Sequence, residues 1–169
     1  MIVLVVDGYN MIGDWPELKR LRDHDLEAAR NRLIEMLAEY QAYIGHKVVV
    51  VFDAYTVRDV ERHYNQLQVE VIFTKEKETA DEKIEKLVKD VMNVKTKVYV
   101  ATSDYAEQWT IFSRGALRKS ARELLIEIQA IDDDIQKDLE KQVEVQPKAK
   151  IPLSENVLKT FENWRRGNK

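Results

Sequence analysis

Three aspartates stand at or just past the ends of apolar, β-branched runs. Asp7 follows Ile2–Val6, Asp53 follows Val48–Phe52, and Asp104 follows Val98–Ala101 and the pair Thr102-Ser103. Runs of this composition read as strands. In an open parallel sheet the carboxyl ends share one edge, and ligands bind there, where the strand order reverses. A parallel arrangement would gather these three carboxylates. A fourth, Asp81, shares helical phase with Ile84 and Val88, while Lys83, Glu85, Lys86 and Lys89 mark the solvated face elsewhere. An inward carboxylate is costly unless it is paired, hydrogen-bonded or metal-bound. Each acid also has an ordinary structural use. Aspartate is a common turn residue, Asp104 with Glu107 has the form of a capping box, and Asp81 in a first turn complements the helix dipole.

Clustered carboxylates raise one another's pKa unless a cation sits among them. Oxygen donors without histidine or cysteine suit Mg²⁺ or Mn²⁺. Such an ion lowers the pKa of a bound water and stabilises charge developing on a phosphoryl oxygen. Other chemistries lack their residues. The chain has no cysteine, which excludes disulfides, thiolate zinc sites and cysteine nucleophiles. His24, His46 and His63 have no zinc-ligand spacing and no pairing suited to 2′-hydroxyl chemistry. Hydrolysis of a phosphodiester would then leave a 5′-phosphate and a 3′-hydroxyl. Phosphate-loop, dinucleotide and serine-elbow motifs are absent, and Tyr9 stands where an aspartyl-phosphate phosphatase needs its second acid.

These acids need a scaffold. A fourth strand is expected at Val69–Phe73. A helix joins the first two strands, with Leu26, Ala29, Leu33, Met36, Leu37, Tyr40 and Ile44 on its apolar stripe and Gly45 as its stop. Ile84, Leu87, Val88 and Val91 repeat the pattern after the capping box Thr79-Ala-Asp-Glu82. A short helix is expected around Tyr105–Phe112, then a long one after the capping box Ser120-Ala-Arg-Glu123. Strands alternating with helices predict an α/β fold, a three-layer sandwich around a mostly parallel sheet. The 169 residues suit one main domain, here 1–146, followed by a linker and a basic C-terminal helix over 147–169. On that helix Val157, Leu158, Phe161 and Trp164 form a narrow apolar stripe. No run reaches the ~20 apolar residues of a membrane span, and the amino terminus lacks a signal peptide's basic region, so a cytoplasmic protein is expected.

Asp7-Gly-Tyr-Asn10 directly after the first strand resembles the signature of NYN domains, a branch of the PIN-like nucleases. Val51-Phe-Asp-Ala54, Thr79-Ala-Asp-Glu82, Thr102-Ser-Asp104 and the stretch 115–125 are similar, in order and spacing, to the YacP-like subfamily. The resemblance implies a PIN-like α/β/α fold and a metal-dependent endoribonuclease acting on messenger RNA at the ribosome, not on DNA. It implies Asp7, Asp81 and Asp104 as metal-binding acids, with Asn10 and Asp53 as further members of the catalytic set. Asn10 could orient a water or Asp7, or simply form a turn. Tyr55 departs from the pattern, which often has histidine there. A non-catalytic RNA or ribosome adaptor with the same fold is the competing reading, and a small-molecule phosphoesterase a weaker one.

Net charge is −3, divided between +4 over residues 148–169 and −7 over the rest. RNA contact must therefore be local. Lys75, Lys77, Arg114, Arg118, Lys119 and Arg122 are the basic candidates, with Arg118 and Arg122 expected near the acidic edge. Tyr9, Tyr55 and Tyr105, each close to a candidate acid, could stack on bases.

Overall fold

The computed structural model describes residues 1–54, 62–104 and 114–148, with backbone alone over 143–148, together with Arg165 and Gly167. The four apolar runs are strands, each within one residue of its expected limits: β1 (Ile2–Asp7), β2 (Lys47–Phe52), β4 (Val69–Phe73) and β5 (Lys97–Ala101). Two further strands, β3 (Arg62–Gln66) and β6 (Leu117–Lys119), form the edges. The sheet order is β3-β4-β2-β1-β5-β6, parallel except for β3, which pairs antiparallel with β4. From β1 the chain first builds outward through β2 and β4, then crosses back to β5. The switch in strand order therefore falls between β1 and β5, at the end of the sheet where Asp7 sits.

Five helices are described: α1 (Gly8–Asp14), α2 (Pro16–His24), α3 (Leu26–Ile44), α4 (Ala80–Val91) and α5 (Ala121–Lys148). The expected helix ends are present. Asp25 caps α3 by accepting from the Ala28 amide, and Gly45, at φ +79°, closes it in the left-handed conformation. The Thr79 hydroxyl accepts from the Glu82 amide at 3.1 Å, and the Ser120 hydroxyl from the Glu123 amide at 3.0 Å.

Alternation along the strands assigns the two faces. Val3, Val5, Val49, Val51, Val98 and Val100 pack with Ile84 and Val88 of α4. Leu4, Val6, Val48, Val50 and Phe52 are buried on the other face, the side of α1 and α3. Leu33, Ile34 and Leu37 of α3 are fully covered, each contributing about 1.5–3 kcal/mol. Trp15, buried at the α1–α2 junction, donates its indole N–H to the Ala121 carbonyl at 2.9 Å and ties the start of α5 to this layer. The result is a three-layer α/β/α fold.

The molecule adds what periodicity did not indicate. β3 is polar, and its hairpin turns through Leu67 and Gln68 at φ 51° and 70°, without the glycine or asparagine that marks such turns. β6 has only three residues, and α1 and α2 are too short to show a helical period. α5 continues to Lys148, so Gln146, Pro147 and Lys148 are helical where a linker was expected. The chain divides into two compact units, Met1–Ile131 and Asp132–Lys169. The helix expected at Tyr105–Phe112 and the terminal stripe lie outside the described residues. Among the described residues no helix is long and apolar enough to cross a membrane.

Candidate active site

Asp7 is both the last residue of β1, opposite Val51, and the cap of α1, its Oδ1 accepting the Asn10 amide at 3.4 Å. The turn from strand into helix is tight. A Cβ on Gly8 would lie 2.2 Å from Cε1 of Phe52, so only glycine lets that ring cover the turn. Asp7 is left 7% exposed. Its carboxyl is pushed up from 3.8 to about 7, first by burial and then by the charge of Asp81, with smaller contributions from Asp53 and Asp104; the Asn10 amide opposes the rise. The four aspartates are thus within electrostatic reach of one carboxyl, at the switch point of the sheet.

Separate hydrogen bonds hold the segments that carry them. Asp81 is half-buried in the first turn of α4. Asp53, exposed at the end of β2, accepts a hydrogen bond from the Ala80 amide and so anchors the start of α4 to the sheet edge. Asp104, half-buried after β5, donates its amide to the Thr102 hydroxyl at 3.1 Å. Oδ1 of Asn10 accepts both the Ser103 amide, at 2.8 Å, and the Ser103 hydroxyl. The Asn10 side chain therefore braces the loop bearing Asp104, while its backbone amide orients Asp7.

Among the described residues no three acid, histidine or cysteine side chains close on one point as metal ligands do. The donors nevertheless fit a hard divalent cation in kind. They are all carboxylates, and the innermost keeps its proton up to about pH 7, first through burial and then through its neighbours' charge, a state that a cation would relieve.

The basic candidates divide. Lys75, Lys77 and Arg122 are exposed. Arg114 is exposed but ion-paired with Glu85 of α4 at 2.9 Å. Lys119, expected to meet phosphate, points inward instead. Its Nζ lies 2.8 Å from both carboxylate oxygens of Glu127 and over the Tyr99 ring, and the Tyr40 hydroxyl is 3.5 Å away. Arg118 was expected beside the acids. It pairs in register with Val100 and so stands level with Val5, near the carboxyl end of β1, and it lines a cavity of about 310 Å³ together with Ile2, Tyr99 and Glu123. Tyr9 packs on Phe52 at 5.0 Å and its hydroxyl accepts from Arg30 at 3.2 Å. Tyr55 and Tyr105 lie outside the described residues.

Sequence reasoning missed Arg30 and Arg62, whose guanidinium carbons lie 5.6 and 4.8 Å from the centre of the Phe73 ring. One signal was available: Arg30 shares the phase of Leu33, Leu37 and Tyr40 on the apolar stripe of α3, where a charge needs a reason.

A three-layer sandwich with its acids at the carboxyl ends of β1, β2 and β5 and on the first turn of a crossing helix defines an NYN domain of the PIN-like nuclease class. The YacP-like NYN domain model matches residues 4–166, and the chain belongs to that family. It is 56% identical over 168 residues to the uncharacterized protein YacP of Bacillus subtilis (strain 168), covering 99% of each chain. Two crystal structures of Rae1 (YacP) from Bacillus subtilis are similar, one of them a point mutant. Identities are 57% and 54% and TM-scores 0.75 and 0.76, over 99% of this chain and 96% of theirs.

Proposed function

We propose that this protein is a metal-dependent endoribonuclease that cleaves messenger RNA in association with the ribosome, in the cytoplasm. Asp7 carries the reading: a buried carboxyl at the switch point, raised to about 7 by burial and by three other aspartates. A protein that only bound RNA would have no use for this costly cluster facing a polyanion. Asp7, Asp81 and Asp104 would hold Mg²⁺ or Mn²⁺, which supplies counter-charge to the acids and to the phosphodiester. The chain's own residues set the geometry. Asn10 holds one oxygen of Asp7 through its amide and the Asp104 loop through its side chain, and Asp53 holds α4. In the reaction, water adds to phosphorus as the bond to the 3′-oxygen breaks. A 5′-phosphate and a 3′-hydroxyl result.

The −7 charge of residues 1–147 supports local, oriented contact over general attraction to RNA, which suits a substrate presented on a ribosome. Incubation of RNA with the protein and Mn²⁺ or Mg²⁺ tests the reading. Expected are cleavage with 5′-phosphate ends, its loss in chelator, and its loss in Asp7→Asn with the fold intact. Cyclic-phosphate ends or full activity in chelator would overturn the mechanism. RNA bound but never cut would favour an adaptor with the same fold. Co-sedimentation with ribosomes across salt concentrations tests the place of action.

A further inference from the structure

We propose that Arg30 and Arg62, which both lie over the Phe73 ring, form a subsite for a nucleotide of single-stranded RNA beside the scissile position. The inference rests on the nuclease reading and adds where the strand lies. Phe52, Phe73 and Arg62 are register partners across β2, β4 and β3, so their side chains form one row on the α3 face. The row begins near the acids. Tyr9, two residues past Asp7, contacts Phe52 at 5.0 Å, and Phe52 stacks on Phe73 at 5.2 Å. Tyr64, 39% exposed, stacks on Phe73 at 6.1 Å and extends the aromatic surface toward the open edge.

The two guanidiniums differ from the ion-paired cations of the fold. Arg32, Lys47, Lys86, Arg114 and Lys119 are ion-paired to carboxylates. Among the described residues Arg30 and Arg62 have ring and hydroxyl partners and no ion pair. A guanidinium beside an aromatic ring offers an N–H fork that suits a phosphate, and its planar face can serve as a platform for a base. The row places positive charge on the β2–β4 side of the acidic crevice. This is the side opposite β6 and α5.

Binding of a short unstructured RNA to the full chain tests this, in an Asp7→Asn background with Mg²⁺ so that the strand stays whole. Fluorescence anisotropy is followed across salt concentrations. Arg62→Gln and Arg30→Gln should each weaken binding by about tenfold, and each lost phosphate contact should lower the salt slope by about 0.7. Arg62→Lys should restore the slope but not the affinity, because an ammonium lacks the stacking plane. Arg32→Gln, on the same helix but paired with Glu17 and Glu35, should bind like the parent. Thermal midpoints near the parent's verify that each variant is folded. Parent-like affinity and slope in both glutamine variants would overturn the subsite and leave the nuclease reading standing. Full recovery by Arg62→Lys would overturn the stacked geometry. No RNA binding by the unsubstituted background at any salt would overturn the subsite, while the nuclease reading stands or falls on its own cleavage test.

Discussion

Replacing Asp7 by asparagine should stabilise the protein, by an amount that depends on pH. In the folded chain the Asp7 carboxyl titrates near 7, and in the unfolded chain near 3.8. Between those values the folded state holds one proton more, so stability falls as pH rises through the window and levels off above it. At about 1.4 kcal/mol for each pH unit the fall is roughly 4 kcal/mol. Asp7 is 7% exposed, so solvent screens little of this. Asparagine has no proton to lose, is nearly isosteric, and keeps an oxygen to accept the Asn10 amide. Without divalent ions, Asp7→Asn should match the parent near pH 4 and exceed it by up to about 4 kcal/mol at pH 8. For a chain of this size that is roughly 10 °C in thermal midpoint. Urea denaturation in chelator at a series of pH values measures it, and titrations common to both proteins cancel in the difference. A parent–variant difference that stays constant from pH 4 to 8 would refute the reasoning. Adding Mg²⁺ or Mn²⁺ at pH 7.5 should raise the midpoint of the parent and leave Asp7→Asn nearly unmoved.

Gly8→Ala drives a methyl into the Phe52 ring and should cost about 1–3 kcal/mol, read as a lower urea midpoint at unchanged slope. Asn10→Ala removes the acceptor of both Ser103 donors. It should cost about 1 kcal/mol of stability and lower kcat for RNA cleavage at least tenfold, with KM little changed. Lys119→Gln breaks the Glu127 pair and should cost about 1 kcal/mol while leaving RNA affinity as in the parent, because this ammonium faces inward. A loss of affinity in that variant would return Lys119 to the RNA surface.

The central sheet was legible because its strands are buried on both faces, and β-branched runs such as Val48–Phe52 have no other comfortable conformation. α3 was legible from its stripe and from Gly45. The edges were not. Arg62–Gln66 pairs through its backbone, and pairing leaves no trace in side-chain pattern when nearly every residue of the strand is exposed. Asp7 and Asp104 could be read from strand ends, and Asp81 from its helical phase. What Asn10 and Asp53 do could not be read, since a hydrogen bond between residues 93 positions apart, as from Ser103 to Asn10, depends on the fold already being closed. Lys119 misled for a similar reason. In sequence it belongs to a run of bases, and only the seating of α5 brings Glu127 to it.

The acids at this edge oppose one another, and the fold holds the segments that carry them by separate attachments. Asp53 holds the start of α4, Asn10 holds the loop after β5, and the Gly8 turn holds the Phe52 ring over Asp7. Burial of Asp7, and then the charge of Asp81, appear as a proton retained on Asp7. A divalent cation and that proton would therefore compete for the same oxygens. Below about pH 7 an entering ion would have to displace the proton, and above it the carboxylate is already free. Because the ligands must be deprotonated to bind, cation affinity at this edge should rise with pH through the Asp7 titration.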